Sequence, residues 1–173
     1  MKLIKEERSQ VGWQWKLYDY SLGKCECKIT FQHLDASYIQ TLLKDYEIEL
    51  AILDFEMNNI DFLYETIPRI QIVINPYSIY QVVEHSFDVV SSWQEEVAIT
   101  IEKSIRREKE EVDHFLKWFY QASSMEEAYK RYEKWQQEHL MNDILGNKLI
   151  DLLQLYEEEV FNYFKYSSIL ALI

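Results

Sequence analysis

The sequence predicts an α+β fold, in which an N-terminal antiparallel sheet of four to five strands with one short helix precedes a C-terminal bundle of about four helices. Short apolar runs with period two recur through the first 75 residues, and helical spacing replaces them from residue 76 onwards. Only 3 Gly and 2 Pro occur among 173 residues, which favours long regular elements. Because no linker separates the two parts, we expect one domain over residues 1–173, sheet-rich at about 11–75 and helical at about 76–166.

The first two predicted strands form a β-hairpin. Two runs have an apolar residue at every second position: Val11, Trp13, Trp15 and Leu17, then Cys25, Cys27, Ile29 and Phe31. The segment between them, Ser21-Leu22-Gly23-Lys24, includes a glycine that can adopt the positive φ of a turn. Residues 1–10 are mostly charged, and we expect them to be frayed.

The other strands are predicted between residues 48 and 74, after a short helix over about 36–45 that Asp35 caps. Their apolar positions are Ile48, Leu50 and Ile52, then Ile60, Phe62 and Tyr64, and finally Ile70, Ile72 and Ile74. The pair Asn58-Asn59 is interpreted as a two-residue turn, because Asn tolerates positive φ. Short turns between consecutive strands predict a mostly antiparallel sheet.

Four helices are predicted after Asn75-Pro76, over about 76–90, 92–120, 125–145 and 148–166. The longest has an apolar stripe made of Val97, Ile101, Ile105, Val112, Phe115 and Phe119. Ser92 with Glu95 indicates a capping box at its start, and Ser123 and Ser124 with Glu126 and Glu127 indicate a doubled one before the third helix. Gly146 is expected to end that third helix as a C-cap.

The charge composition favours a protein partner with a basic surface. The net charge is −12, with 18 basic and 30 acidic side chains, so phosphate backbones and anionic membranes would repel the chain. We therefore expect no direct nucleic-acid or membrane partner. No apolar run is long enough to span a bilayer, and MKLIKEERSQ lacks the apolar core of a signal peptide. These features and the small number of cysteines predict a cytoplasmic protein.

Motifs for catalysis or metal binding are sparse. Glu111 and His114 form one E-x-x-H on a helix, but the second copy that di-iron bundles need does not occur. Cys25 and Cys27 are too close in sequence for an unstrained mutual disulfide, and paired zinc-ligand spacings are lacking. No Gly-rich phosphate loop occurs. We therefore expect no catalytic residue, metal or cofactor.

Two acidic clusters are the candidate partner-binding residues. The first lies on the longest predicted helix and the second in the last predicted helix. They comprise Glu108, Glu111 and Asp113, and then Glu157, Glu158 and Glu159. Negative charge late in a helix opposes the helix dipole, so we expect a small local cost for the second cluster.

The leading hypothesis is a non-enzymatic protein-binding domain, of the inhibitor or immunity-protein kind, that covers a basic site on its partner. Three alternatives stay open. The first is an acidic mimic that blocks a nucleic-acid-binding protein. The second is a structural subunit that self-associates through the apolar tail SSILALI, for example as a homodimer. The third is a metal-dependent or cysteine enzyme, because catalytic partners can meet only in the fold.

Overall fold

The computed structural model describes residues 1–9, 12–31, 36–43, 46–55, 57–82, 98–138 and 144–171. The chain divides into two compact units, Met1–Asn75 and Pro76–Ile173. The first unit contains a five-stranded sheet, and the second contains the helices that follow it, so the predicted α+β class and the order of its parts are confirmed. Among the described residues, no helix combines the length and the hydropathy that crossing a membrane requires.

The sheet unit contains five strands and two helices among its described residues. They are β1 Lys2–Ser9, β2 Gly12–Asp19, β3 Lys24–Phe31, α1 Ala36–Leu43, β4 Ile48–Leu53, α2 Met57–Thr66 and β5 Gln71–Ile74. The spatial order of the strands is β3-β2-β1-β4-β5, and a 3-10 turn, Tyr20–Leu22, joins β2 to β3.

The predicted hairpin is confirmed as β2 and β3, which pair antiparallel. Gly23 follows the 3-10 turn with a φ of +59°, the left-handed conformation that its place in the turn suggested. The Asp19 side chain accepts hydrogen bonds from the backbone N–H groups of Ser21 and Leu22, at 2.9 and 3.3 Å. The turn is therefore determined by residues within it.

The strand β1 occupies the centre of the sheet, so the prediction that residues 1–10 are frayed is wrong. Leu3 and Ile4 are fully buried. The charged residues that suggested fraying have partners, because Lys16 Nζ lies 2.5 Å from the Glu7 carboxylate and Glu6 is held by buried donors. Because charged residues occupy positions in this strand and are paired there, β1 lacks the alternation of apolar and polar residues by which a half-buried strand is recognised.

The sheet is mixed rather than antiparallel. β1–β2 and β2–β3 are antiparallel, whereas β1–β4 and β4–β5 are parallel. The antiparallel prediction assumed short turns, but α1 lies between β3 and β4, and α2 lies between β4 and β5. A helical crossover returns the chain to the same end of the sheet, so the next strand is parallel.

Residues 60–64 belong to the helix α2, so the predicted strand and the Asn58-Asn59 turn before it are wrong. Ile60 and Leu63 are buried three positions apart, as on one face of a helix. The buried Asn59 amide donates to Glu6 Oε1 at 2.5 Å. In these five residues, apolar side chains occur both at the two-residue spacing of a strand and at the three- and four-residue spacings of a helix. The pattern therefore did not distinguish a strand from a helix.

The helical unit begins at Pro76, as predicted, and residues 76–82 form α3. Four further helices follow in the described part of the chain. They are α4 Ala98–Tyr120, α5 Met125–Glu138, α6 Ile144–Leu155 and α7 Glu157–Leu170. Val112, Phe115 and Phe119 of the predicted stripe are buried. The predicted caps Asp35, Ser92 and Glu95, and the stripe side chains of Val97, Ile101 and Ile105, lie outside the described part of the chain.

Of the doubled capping box before α5, the Ser124–Glu127 half is confirmed, whereas Glu126 pairs with Lys130 and Ser123 contacts Glu127 instead. The backbone N–H of Glu127 donates to Ser124 Oγ at 3.2 Å, and Glu127 Oε2 accepts from the backbone N–H and the hydroxyl of Ser123 at 2.8 and 2.6 Å. These contacts satisfy donors that the first turn of a helix leaves unpaired.

The last predicted helix is two helices. α6 and α7 are separated at Tyr156, and Gly146 lies inside α6, where it is buried. Gly146 is therefore not a C-cap. Glu157, Glu158 and Glu159 form the first turn of α7. Their charge is favourable at a helix N-terminus, so the predicted local cost has the wrong sign.

Candidate functional site

The acidic residues of α4 are largely neutralised by cations on the same helix. Arg107 Nε lies 2.8 Å from a Glu111 oxygen, and Lys117 Nζ lies 2.6 Å from an Asp113 oxygen. Both pairs have the i,i+4 spacing at which helical side chains meet. Glu108 is half-buried. This half of the predicted partner-binding set is therefore a surface of mixed sign.

The acidic residues at the start of α7 differ in exposure. Glu157 and Glu158 are exposed, whereas Glu159 is buried. Glu157 accepts a hydrogen bond from the Tyr129 hydroxyl at 2.8 Å, and burial together with this carboxylate raises the pKa of Tyr129 to about 12. The Tyr129 ring stacks on Phe161 with 3.8 Å between centroids. Glu157 and Glu158 are thus the members of this cluster that a partner can reach.

Two residues that sequence reasoning missed complete a surface at the junction of α6 and α7. Asp151 and Leu155 are both exposed and four residues apart on α6, so they lie on one face of that helix. Leu155 keeps 65% of its side chain exposed. We call Asp151, Leu155, Glu157 and Glu158 the α6–α7 patch.

Two carboxylates of the α6–α7 patch affect one hydroxyl of α5. Burial raises the pKa of Tyr132, and the negative charges of Glu157 and Asp151 raise it further. Among the described residues, Asp151 and Glu158 form no ion pair. The signal in the sequence that could have revealed this patch is the apolar Leu155, four residues after Asp151 and therefore on the same helix face.

A groove of about 550 Å³ lies between α4 and α5. Its floor is the stack of Phe115 on Trp135, with 4.1 Å between ring centroids. The cations of Arg131 and Lys134 lie 5.2 and 5.8 Å from the centroid of the neighbouring Trp118 ring. The lining consists of Arg107, Glu110, Glu111, His114, Phe115, Trp118, Lys134, Trp135 and Glu138.

In the described part of the α4–α5 groove, no histidine–carboxylate contact provides a general base. His114 is exposed, and within the described ranges no hydrogen bond or ion pair joins it to Glu110, Glu111 or Glu138. A general base needs such a contact to its partner or substrate. The described residues also contain no group of three potential metal ligands, and the half-buried thiols of Cys25 and Cys27 belong to the sheet unit. That the chain is not an enzyme stays a prediction.

Comparisons with known proteins supply no relative for this chain. No protein-family model matches it, and no curated protein or solved structure is significantly similar to it. A functional assignment therefore depends on the residues and contacts described above.

Proposed function

We propose that the protein is a non-enzymatic binding protein whose α6–α7 patch contacts a basic surface on a partner protein. One observation supports this most directly. The exposed Leu155 shares the α6–α7 junction with three exposed carboxylates, and none of the three forms an ion pair within the described residues. An apolar centre with a charged rim is the usual composition of a protein interface.

The charge of the helical unit supports a basic partner. Residues 76–173 contain 10 basic and 18 acidic side chains, a net charge of −8, and residues 1–75 contribute the other −4. A charge of this size raises the rate at which an oppositely charged protein associates. An inhibitor or an immunity protein that covers a basic site would use such attraction.

The distribution of charge favours this function over mimicry of nucleic acid. A mimic needs carboxylates in unbroken rows, like phosphates, whereas the α4 carboxylates alternate with Arg107 and Lys117 in ion pairs. The α6–α7 patch instead combines an exposed apolar residue with exposed carboxylates. This combination suits contact with a protein surface.

The test compares two double variants that change the net charge equally. Leu155→Gln/Glu158→Gln alters the patch, and Leu22→Gln/Glu110→Gln removes an equally exposed leucine and another exposed carboxylate elsewhere, since Leu22 is 70% exposed. Each tagged protein is used to capture proteins from a low-salt lysate of the cells that make it.

We expect the wild type and the control variant to capture a basic protein that the patch variant does not capture. Raising the salt to about 1 M, where the Debye length is about 3 Å, should release it. Equal loss in both variants would indicate non-specific charge attraction, and equal retention in both would exclude the patch.

A further inference from the structure

Among the described carboxylates of the sheet unit, Glu6 is the buried one, with 4% of its surface exposed. Its Oε1 accepts two short hydrogen bonds, from Trp15 Nε1 at 2.7 Å and from Asn59 Nδ2 at 2.5 Å. Its Oε2 accepts one longer bond, from the backbone N–H of Asp54 at 3.2 Å. The donors come from β2, from α2 and from the residue after β4, so one side chain on β1 joins four parts of the fold.

Within the described residues, Glu6 is buried without a counter-charge for its ionised form. A carboxylate offers about four acceptor positions, and here Oε2 has a single long contact. Among the described residues, no cation pairs with Glu6. Trp15 and Asn59 are neutral, and the titratable group that acts on Glu6 is Asp54, which is itself an acid.

The lysines nearest Glu6 on β1 and β2 face away from it, and the side chain of Arg8, two positions along β1, lies outside the described part of the chain. Successive side chains of a strand point to opposite faces, so Glu7 lies on the other face of the sheet. There it pairs with Lys16 at 2.5 Å and with Lys5 at 3.7 Å. The amide of Asn75 donates to Asp54 Oδ1 at 2.9 Å, which supports the Asp54 anion. A charged Glu6 would therefore face another negative charge without a compensating cation among the described side chains.

We propose that Glu6 is a proton-operated switch in the sheet unit: neutral Glu6 keeps α2 closed on the sheet, and its ionisation favours the opening of α2. When neutral, Oε1 still accepts from Trp15 and Asn59, and the proton resides on Oε2. When the proton leaves to solvent, the buried anion gains free energy by reaching water, which requires the donors around it to separate.

The direction of the pH effect follows from the titration of Glu6. Burial first, and then the Asp54 charge, raise the pKa of Glu6 from 4.5 to about 7, against the hydrogen bonds that lower it. The folded unit thus holds more protons than the open one between these values, so the closed state loses stability as pH rises from about 4.5 to about 7. A difference of about 2.5 pH units corresponds to a change of roughly 300-fold in the opening equilibrium.

Nuclear magnetic resonance of the full chain with labelled glutamate carboxyl carbons tests the switch. We expect the Glu6 signal to titrate near pH 7 and the Trp15 Nε1–H signal to shift with it. Hydrogen exchange at Trp15 Nε1 and at the Asp54 amide, corrected for its intrinsic pH dependence, should show more opening at about pH 8 than at about pH 5. Glu6 titration below about pH 5, or opening that does not change with pH, would overturn the proposal.

Two variants separate the switch from a general charge effect. Glu6→Gln should abolish the pH dependence of opening, whereas Glu7→Gln, the matched change on the other face of the same strand, should retain it. If Glu6→Gln does not fold, Asn59→Ala is informative, because removing a donor to the anion should move the Glu6 titration to higher pH. An unchanged titration midpoint in Asn59→Ala, or a pH dependence that disappears in Glu7→Gln, would contradict the proposal.

Discussion

Arg131 shows how one residue of the helical unit connects two helices. Its guanidinium donates to the Trp118 carbonyl oxygen near the end of α4 and to the Glu127 carboxylate in the first turn of α5. It also lies over the Trp118 ring. A planar guanidinium can make these three contacts at once, which a lysine ammonium cannot. The local geometry of the α4–α5 connection therefore depends on an arginine at this position.

Gly23 provides the prediction at the scale of the residue. Its φ is +59°, and no atom lies within 4 Å of the position that a Cβ would occupy. Gly23→Ala should therefore lower the free energy of unfolding by about 1 kcal/mol through backbone strain alone. Gly23→Asn should cost less, because Asn tolerates this conformation. Urea unfolding of both variants is the measurement, and an equal cost for both would show that strain is not the cause.

At the scale of the element, the first turn of α5 is stabilised by residues adjacent in sequence. Ser124→Ala removes the hydroxyl that accepts from the Glu127 N–H, and we expect a loss of about 1 kcal/mol in the free energy of unfolding. The matched control is Ser168→Ala, an exposed serine within α7, which should change stability little. A loss in the control as large as in Ser124→Ala would refute a capping role.

Elements whose signals are local were predictable, and others were not. The β2–β3 hairpin and the α5 cap depend on residues within a few positions of each other. β1 was missed because its charged residues are paired by partners from other strands and from α2. α2 was assigned as a strand because a short apolar run fits both periods. The role of the Asn59 side-chain amide in α2 could be recognised only once the structure placed it beside Glu6.

At the scale of the whole molecule, the pKa shifts of three carboxylates make stability depend on pH, two of them in one direction and the third in the other. The pKa of Glu127 is lowered to about 2, mainly by hydrogen bonds from Ser123, and Lys16 lowers the pKa of Glu7. Their contributions are present above the ordinary pKa of 4.5 and are lost as pH falls below it. Glu6 contributes in the other direction, with stability lost as pH rises from about 4.5 to about 7.

These effects predict maximal stability near pH 5. The sequence isoelectric point of about 4.8 acts in the same direction, because net negative charge grows above it. Urea midpoints at about pH 3, 5 and 8 should be highest at the middle value, and Glu6→Gln should reduce the fall between about pH 5 and 8. Stability that rises steadily up to about pH 8 would contradict this balance.

The candidate site was only partly predictable, because the exposure of a carboxylate and its partners depend on the fold. Glu157 and Glu158 were identified from sequence and are exposed, whereas Glu159 in the same run is buried. Glu111 and Asp113 were identified as well, but their i,i+4 cations neutralise them. Leu155 and Asp151 were missed because only the break at Tyr156 makes them neighbours of the first turn of α7.

The sequence by itself determined the α+β class, the sheet before the helices, the β2–β3 turn, the cap of α5 and the acidic charge. Each of these follows from composition or from side chains a few residues apart. Only the tertiary structure decided the strand order, the parallel half of the sheet, the burial of Glu6 and the grouping of the α6–α7 patch. Those features depend on contacts between distant residues, such as Asn59 with Glu6, 53 positions apart, and such contacts leave no period in the chain.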